Sequence, residues 1–170
     1  VAAGTTYEPI ATTSPTTNPT EITFSSIPAT YTDLVLVVTA KASPDGGDIY
    51  IIVNNDTGSN YSWTNIWGNG SSTGSANGSN IAFGLLVDYY GTVGTNNNHL
   101  LIANFNNYAN TTTYKTCLAR SNNAAGGVDS TISMWRSTAA INSLRLGIGS
   151  ARTDTFSTGT VATLYGIASA

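Results

Sequence analysis

Short apolar alternations separated by turn chemistry run along most of this chain, and no window carries a helical repeat. Ile22, Phe24 and Ser26 alternate with Thr23, Ser25 and Ile27 as far as Pro28. Asp33 to Ala42 is a long β-branched run, closed by Ser43-Pro44-Asp45-Gly46-Gly47. That closing string predicts a turn, because proline presets φ and the glycines accept positive φ. Asp48 to Val53 predicts the next strand, Asn54 to Gly58 the next turn, and Tyr61 to Trp67 a short aromatic strand. Further strands are predicted at Ile81 to Asp88, His99 to Tyr108, Thr112 to Arg120, Thr131 to Arg136, Ser143 to Ile148 and Val161 to Ile167. Asn96 to Asn98, Asn122 to Gly127 and Ser150 to Gly159 separate the later ones. Gly68 to Asn80, almost wholly Gly, Ser, Asn and Thr, reads as an exposed loop. Ser137 to Asn142 has room for one helical turn at most.

Nine or ten strands in strand-turn-strand order, each alternating, predict an all-β antiparallel β-sandwich and disfavour a buried parallel sheet. A jelly roll, which takes eight or more strands with some long connections, is the leading topology. The chain is long for an immunoglobulin-type sandwich and lacks its Cys-Trp-Cys spacing. Residues 1–20, rich in Thr and Pro, form an extended N-terminal arm ahead of a sandwich domain over 21–170. Within the arm, Tyr7-Glu8-Pro9-Ile10-Ala11-Thr12 has the alternation of an edge strand, the position at which Pro9 is tolerated.

Composition sharpens the picture. Charged residues are only 9% of the 170, against roughly 25% in ordinary soluble domains. Ser, Thr and Asn make up roughly a third of the chain, the balance of a sheet protein with polar outer faces and many turns. A formal charge of −3 with six scattered Lys and Arg gives no footprint for nucleic acid. So sparse a charge suits a protein held at a fixed place in an assembly. No apolar run reaches the roughly 20 residues that span a membrane, and no basic-then-apolar signal segment opens the chain, so it reads as soluble.

Candidate chemistry is scarce. His99 is the only histidine and Cys117 the only cysteine, so a catalytic triad would have to use His99 and no disulfide can form within the chain. Cys117 lies in a strand-like run and reads as a buried structural thiol. Two-histidine and cysteine-cluster metal motifs are absent from the sequence. Acids at Asp45, Asp48, Asp56, Asp88, Asp129 and Asp154 sit in or beside predicted turns, where a carboxylate bonds local backbone. Two of them converging in space would be needed for glycoside hydrolysis. The strings around Asp45 and Asp56 lack the ligand spacing and closing Glu of a calcium loop. Five Asn-X-Ser/Thr strings occur, as so Asn-rich a chain produces by chance. No cofactor is expected and the chain reads as non-enzymatic. Tyr61, Trp63 and Trp67 are the candidate glycan or partner contacts, although alternating aromatics more often fill one core face.

Several strings taken in order resemble a known family. They are Tyr7 to Thr12, Ile22 to Leu34 (ITFSSIPATYTDL), Asn54 to Trp63 (NNDTGSNYSW), Tyr108 to Thr116 (YANTTTYKT), Trp135 to Ile141 (WRSTAAI) and Thr163 to Ile167 (TLYGI). Together they resemble small virion proteins of tailed phages common among aquatic and cyanobacterial phages. The resemblance spans nearly the whole chain, with its first block the most specific, while Gly68 to Asn80 matches no family motif. It implies a structural protein on the outer surface of the virion: a capsid decoration or cement protein bound to the major capsid protein. Symmetric self-association, with a trimer as the expected homo-oligomer, would accompany that role. Tyr7, Glu8, Pro9 and Ile10 would then strap a capsid or neighbouring subunit. The alternative is a receptor- or glycan-binding module of a head fibre or tail, contacting host-surface glycan through Tyr61, Trp63 or Trp67.

Overall fold

The computed structural model describes residues 6–43, 47–88, 93–95, 99–149 and 154–168. The turn expected at Pro44 to Gly46, the separator Asn96 to Asn98 and part of Ser150 to Gly159 lie outside the described residues. Fourteen strands and no helix are present among the described residues. They are β1 (Tyr7–Thr13), β2 (Glu21–Phe24), β3 (Asp33–Ala40), β4 (Ala42–Ser43), β5 (Ile49–Val53), β6 (Tyr61–Gly68), β7 (Thr73–Ile81), β8 (Gly84–Val87), β9 (His99–Asn106), β10 (Lys115–Asn123), β11 (Gly127–Trp135), β12 (Leu144–Ile148), β13 (Thr155–Phe156) and β14 (Val161–Ile167).

All pairings are antiparallel. One sheet has eight strands in the order β1-β14-β3-β9-β10-β11-β6-β7, and a second has four in the order β2-β12-β5-β8. β13 and β4 form a two-stranded ribbon. Labelled by jelly-roll position, β2-β12-β5-β8 is the sheet B-I-D-G. The order β3, then β9-β10-β11, then β6-β7 is C-H-E-F, with three strands of meander where one strand would stand. Three strands preserve the direction that one would have, so the expected jelly-roll sandwich is kept and widened. β14 and β1 extend it past β3.

The inner faces form one core. Leu34, Leu36 and Val38 of β3, Leu101, Ala103 and Phe105 of β9, and Cys117 and Ala119 of β10 meet Ile22, Phe24, Ile49, Ile51, Val53, Leu144, Leu146 and Ile148 of the smaller sheet. β5 is buried at all five positions, which explains its unbroken apolar sequence.

Two expectations change. Gly68 to Asn80 is largely a strand rather than a loop, since β7 pairs with β6 along nearly its whole length. Its glycines receive the β6 indoles: a β-carbon at Gly74 would overlap the Trp67 ring, and one at Gly78 would overlap Trp63. Ile81 to Asp88 is not one strand. Ile81 ends β7, the chain crosses between sheets at Ala82-Phe83, and Gly84 begins β8 against Ile51 and Ser133.

The edge strand expected within the first residues forms. β1 pairs with β14 at the margin of the large sheet, with a bulge between Pro9 and Ala11. The Tyr7 ring meets Tyr165 edge-on at 6.2 Å, Glu8 accepts a hydrogen bond from the Tyr31 hydroxyl at 3.1 Å, and Ile10 packs against the core. The proposed strap is thus docked on its own chain.

Candidate functional site

Along β11 and the facing Asn65-Ile66 of β6 the usual polarity of a half-buried sheet is reversed. On the inner face Asn65, Thr131, Ser133, Asp129 and Ser121 are buried. On the outer face three of their neighbours in sequence stand in solvent, Ile66 at 59% exposed, Val128 at 58% and Ile132 at 56%, with Leu118 of β10 beside them at 47%. Because side chains alternate across a strand, a slip of one residue would bury the isoleucines and expose the threonine and serine. Larger anchors forbid the slip. Tyr61 and Trp135 at one end of the same inner rows, with Cys117 and Phe105 beside them, are buried in the core. Most of these groups find a partner: Asn65 Nδ2 donates to Thr131 Oγ1 at 2.8 Å, and Ser133 Oγ to the Leu85 carbonyl at 2.5 Å, whereas Asn65 Oδ1 and Ser121 Oγ meet no hydrogen-bond partner among the described residues. The Asp88 N–H donates to Asp129 Oδ2 at 3.1 Å.

The outer face that results is open and nearly uncharged, with exposed isoleucine, leucine and valine set among neutral polar side chains. Register places Thr64, Ile132, Leu118 and Asn104 in one row and Ile66, Ser130, Arg120 and Ile102 in the next. Val128, Asn122 and Leu100 follow in a third. Arg120 is the single charge within the body of this face among the described residues. Gly68 leaves an open hollow of about 560 Å³ between Ile66, Thr73, Ser75 and Val128. A second, of about 320 Å³, lies on the other side of Val128 among Leu100, Ile102, Arg120 and Asn122. Contiguous exposed apolar surface of this kind marks interaction sites.

The three aromatics singled out in the sequence lie on the opposite, inner side of β6. Tyr61 is buried, 1% exposed. Its hydroxyl accepts the Val53 N–H at 3.0 Å and donates to the Asp56 carbonyl at 2.9 Å, and burial pushes its pKa up to about 12. Trp63 and Trp67 are half-buried, each laid on a β7 glycine. Tyr61 is therefore a core residue, and the trio makes no common exposed platform. No sequence signal pointed to Ile66, Leu118, Val128 and Ile132. Only knowing which face Trp135 and Tyr61 take reveals that these residues point outward.

His99 and Cys117 are both buried on the inner face. Burial raises the thiol pKa of Cys117 far above its ordinary value. The Asp56 carboxylate accepts from Gly58 N, Asn60 Nδ2 and Trp135 Nε1 at 2.7 to 2.9 Å. Its burial would raise its pKa, but those donors outweigh it and leave the pKa below the ordinary value. Asp56 thus organises its own loop, as the sequence suggests. Asp129 does not: it lies within β11, buried, and belongs with Asp48, Asp88 and Asp154. Burial first, then the charges of those three acids, raises the Asp48 carboxyl to about 6. No group of three or more His, Cys, Asp or Glu among the described residues is arranged to hold a metal ion.

No family model matches the chain, and no curated protein matches it. Among solved structures it is similar to an alginate lyase mutant in complex with an alginate tetrasaccharide. The identity is 9% and the TM-score 0.25, over 89% of this chain and 72% of that one. A likeness of that size bears on neither fold nor function.

Proposed function

We propose that this chain is a non-enzymatic structural protein of a phage virion, a capsid decoration or cement protein that binds the outer head surface. In this reading the outer face of the eight-stranded sheet is the attachment surface, the major capsid protein is the partner, and the protein acts as a homo-oligomer, with a trimer the first arrangement to test. The observation that carries it is the reversed polarity of β11 and of Asn65-Ile66 in β6, with Leu118 of β10 exposed beside them. Isoleucine, leucine and valine are turned to solvent on a rigid sheet, and they are costly to leave wet unless something covers them. A low surface charge and the family-like strings point the same way.

The test is add-back to particles lacking the protein. Wild type should bind at high copy number and raise the temperature of DNA release. Ile132→Asp with Leu118→Asp should fold but fail to bind. Normal binding by that variant would remove the sheet face from the proposal. A copy number of only a few per particle would move the protein to a vertex or the tail.

The two hollows flanking Val128 favour one second reading, a glycan- or receptor-binding module. Hydroxyls of Thr73, Ser75 and Ser130 rim one hollow, and Arg120 stands at the other. Binding of host-surface polysaccharide that Arg120→Ala abolishes, with particle binding intact, would select it.

A further inference from the structure

We propose that the free edge of β7 is a pairing surface for a second copy of this chain. Two copies join β7 to β7, antiparallel about a twofold axis at Ala76, so that their eight-stranded sheets become continuous. The inference goes beyond the proposed virion role, holds with or without a particle, and leaves the outer face open for attachment.

Four strands stand at the margins of the two larger sheets, and three of them are guarded. β1 carries Glu8, Pro9 and a bulge between Pro9 and Ala11. β2 is four residues long and carries Glu21. β8 is buried at every position, and its Leu85 carbonyl accepts the Ser133 hydroxyl from β11. Short length, proline, charge, bulging and covering are the means by which a sheet edge is kept from pairing. Residues 73–79 of β7 have none of them: they hold no proline and no charge, and they run regularly until the bulge at Asn80, where φ is 55°. Their backbone pairs with β6 on one side, and no other backbone hydrogen bond reaches them among the described residues.

A second copy is the occupant that this edge fits. An antiparallel pair offers the same donors and acceptors from both sides, so a strand edge is complementary to itself about a twofold axis. With no charge in residues 73–79, nothing there repels its own copy. Opposed residues of a strand pair share a face, so the inward row Gly74, Ala76 and Gly78 meets the same row. Ala76 is the midpoint of the regular run, and an axis there sets Gly74 of each copy opposite Gly78 of the other.

The tryptophans of β6 lie on those glycines. Trp67 rests on Gly74 and Trp63 on Gly78, both half-buried. Opposed Cα atoms of such a pair stand about 4.5–5.5 Å apart, so Trp67 of each copy comes against Trp63 of the other and the indoles close over the junction. Trp63 Nε1 is already buried against Gly78, with no hydrogen-bond partner among the described residues. A buried indole N–H normally has an acceptor, and its lack here marks the margin at which the isolated chain is incomplete. Because the other three margins are guarded, pairing closes at two copies and does not run on into a fibre.

The test is sedimentation of the full chain at micromolar concentration, beside register-specific cross-linking. Wild type should sediment as a dimer. Ser75→Lys with Asn77→Lys should give a monomer with unchanged circular dichroism, because these exposed positions face each other across the axis and like charges would meet there. Ser75→Cys and Asn77→Cys, each oxidised alone, should stay unlinked. Mixed while reduced and then oxidised, the two should give a disulfide dimer on a non-reducing gel, with the buried Cys117 taking no part. A monomeric wild type would overturn the pairing. A wild-type oligomer that survives the lysines would overturn it too, while leaving the self-association of the proposed virion role standing. Linked dimers from Ser75→Cys alone would overturn the axis at Ala76.

Discussion

Asn65 and Thr131 are opposite each other on β6 and β11, both fully buried, joined by a 2.8 Å hydrogen bond from Nδ2 to Oγ1. Their sequence neighbours Ile66 and Ile132 face water. A fold seeking only burial would take the other register. That it does not shows the sheet's polarity to be set by its few large anchors and paid back through specific polar pairs. Thr131→Val should therefore cost about 1–3 kcal/mol, because it leaves the Asn65 amide buried without that partner. Asn65→Leu with Thr131→Val should recover a large part of the loss. Urea denaturation of both singles and the double would measure the coupling, and additive losses would mean that the pair is not a unit.

The same reversal predicts the opposite behaviour outside. Ile132→Thr and Val128→Thr should each change the stability of the isolated chain by no more than about 0.5 kcal/mol, since those side chains are already more than half in solvent. Leu36→Ala, fully buried in β3, should cost about 2–5 kcal/mol. Tolerance of the outer substitutions in folding, joined to their failure in binding, is what separates an attachment surface from a core. If Ile132→Thr unfolds the chain, the face is holding the domain together instead.

β7 depends on glycine in a way that its composition hides. A β-carbon at Gly78 would lie 2.8 Å from Cε2 and Nε1 of Trp63. Gly→Ala elsewhere is often stabilising by about 0.4–1 kcal/mol, through a less mobile unfolded chain. Here Gly78→Ala should destabilise by about 1–3 kcal/mol as the indole is forced off the strand. Its tryptophan emission should move to longer wavelength. Unchanged emission and stability would show the ring to be loosely seated.

The sequence exposes the fold where alternation is apolar. Val161 to Ile167 has the bounds of β14, and the runs from Asp33 and His99 lie within a residue or two of β3 and β9. It conceals β7, because a strand of Thr, Gly, Ser, Ala and Asn closed by the lone Ile81 has no apolar face of its own. That strand exists through the tryptophans of its neighbour. The attachment face is concealed for a related reason: Thr131-Ile132-Ser133-Met134 alternates equally well with either set inside, and only tertiary packing of Trp135 and Tyr61 chooses. The acids mislead differently. Asp48, Asp88, Asp129 and Asp154 are far apart in sequence, each explicable by local structure, and only the closed sandwich makes them neighbours.

That gathering has a consequence for pH. The Asp48 carboxyl is raised from 3.8 to about 6, by burial first and then by the charges of Asp88, Asp129 and Asp154. A raised carboxyl binds its proton more tightly in the folded state than in the unfolded chain. Its ionisation therefore opposes folding: the penalty is absent below about pH 4, grows as pH rises through 6, and is complete above it. Partial solvent access trims the penalty to about 1–3 kcal/mol. Asp48→Asn should accordingly raise Tm at pH 7.5, and its advantage should shrink steadily as pH falls and vanish near pH 4. The comparison needs thermal melts of both proteins across that range at constant ionic strength. A constant difference at every pH would mean that the gain comes from local backbone effects, and a loss at pH 7.5 would mean that the ionised carboxylate is holding something in place.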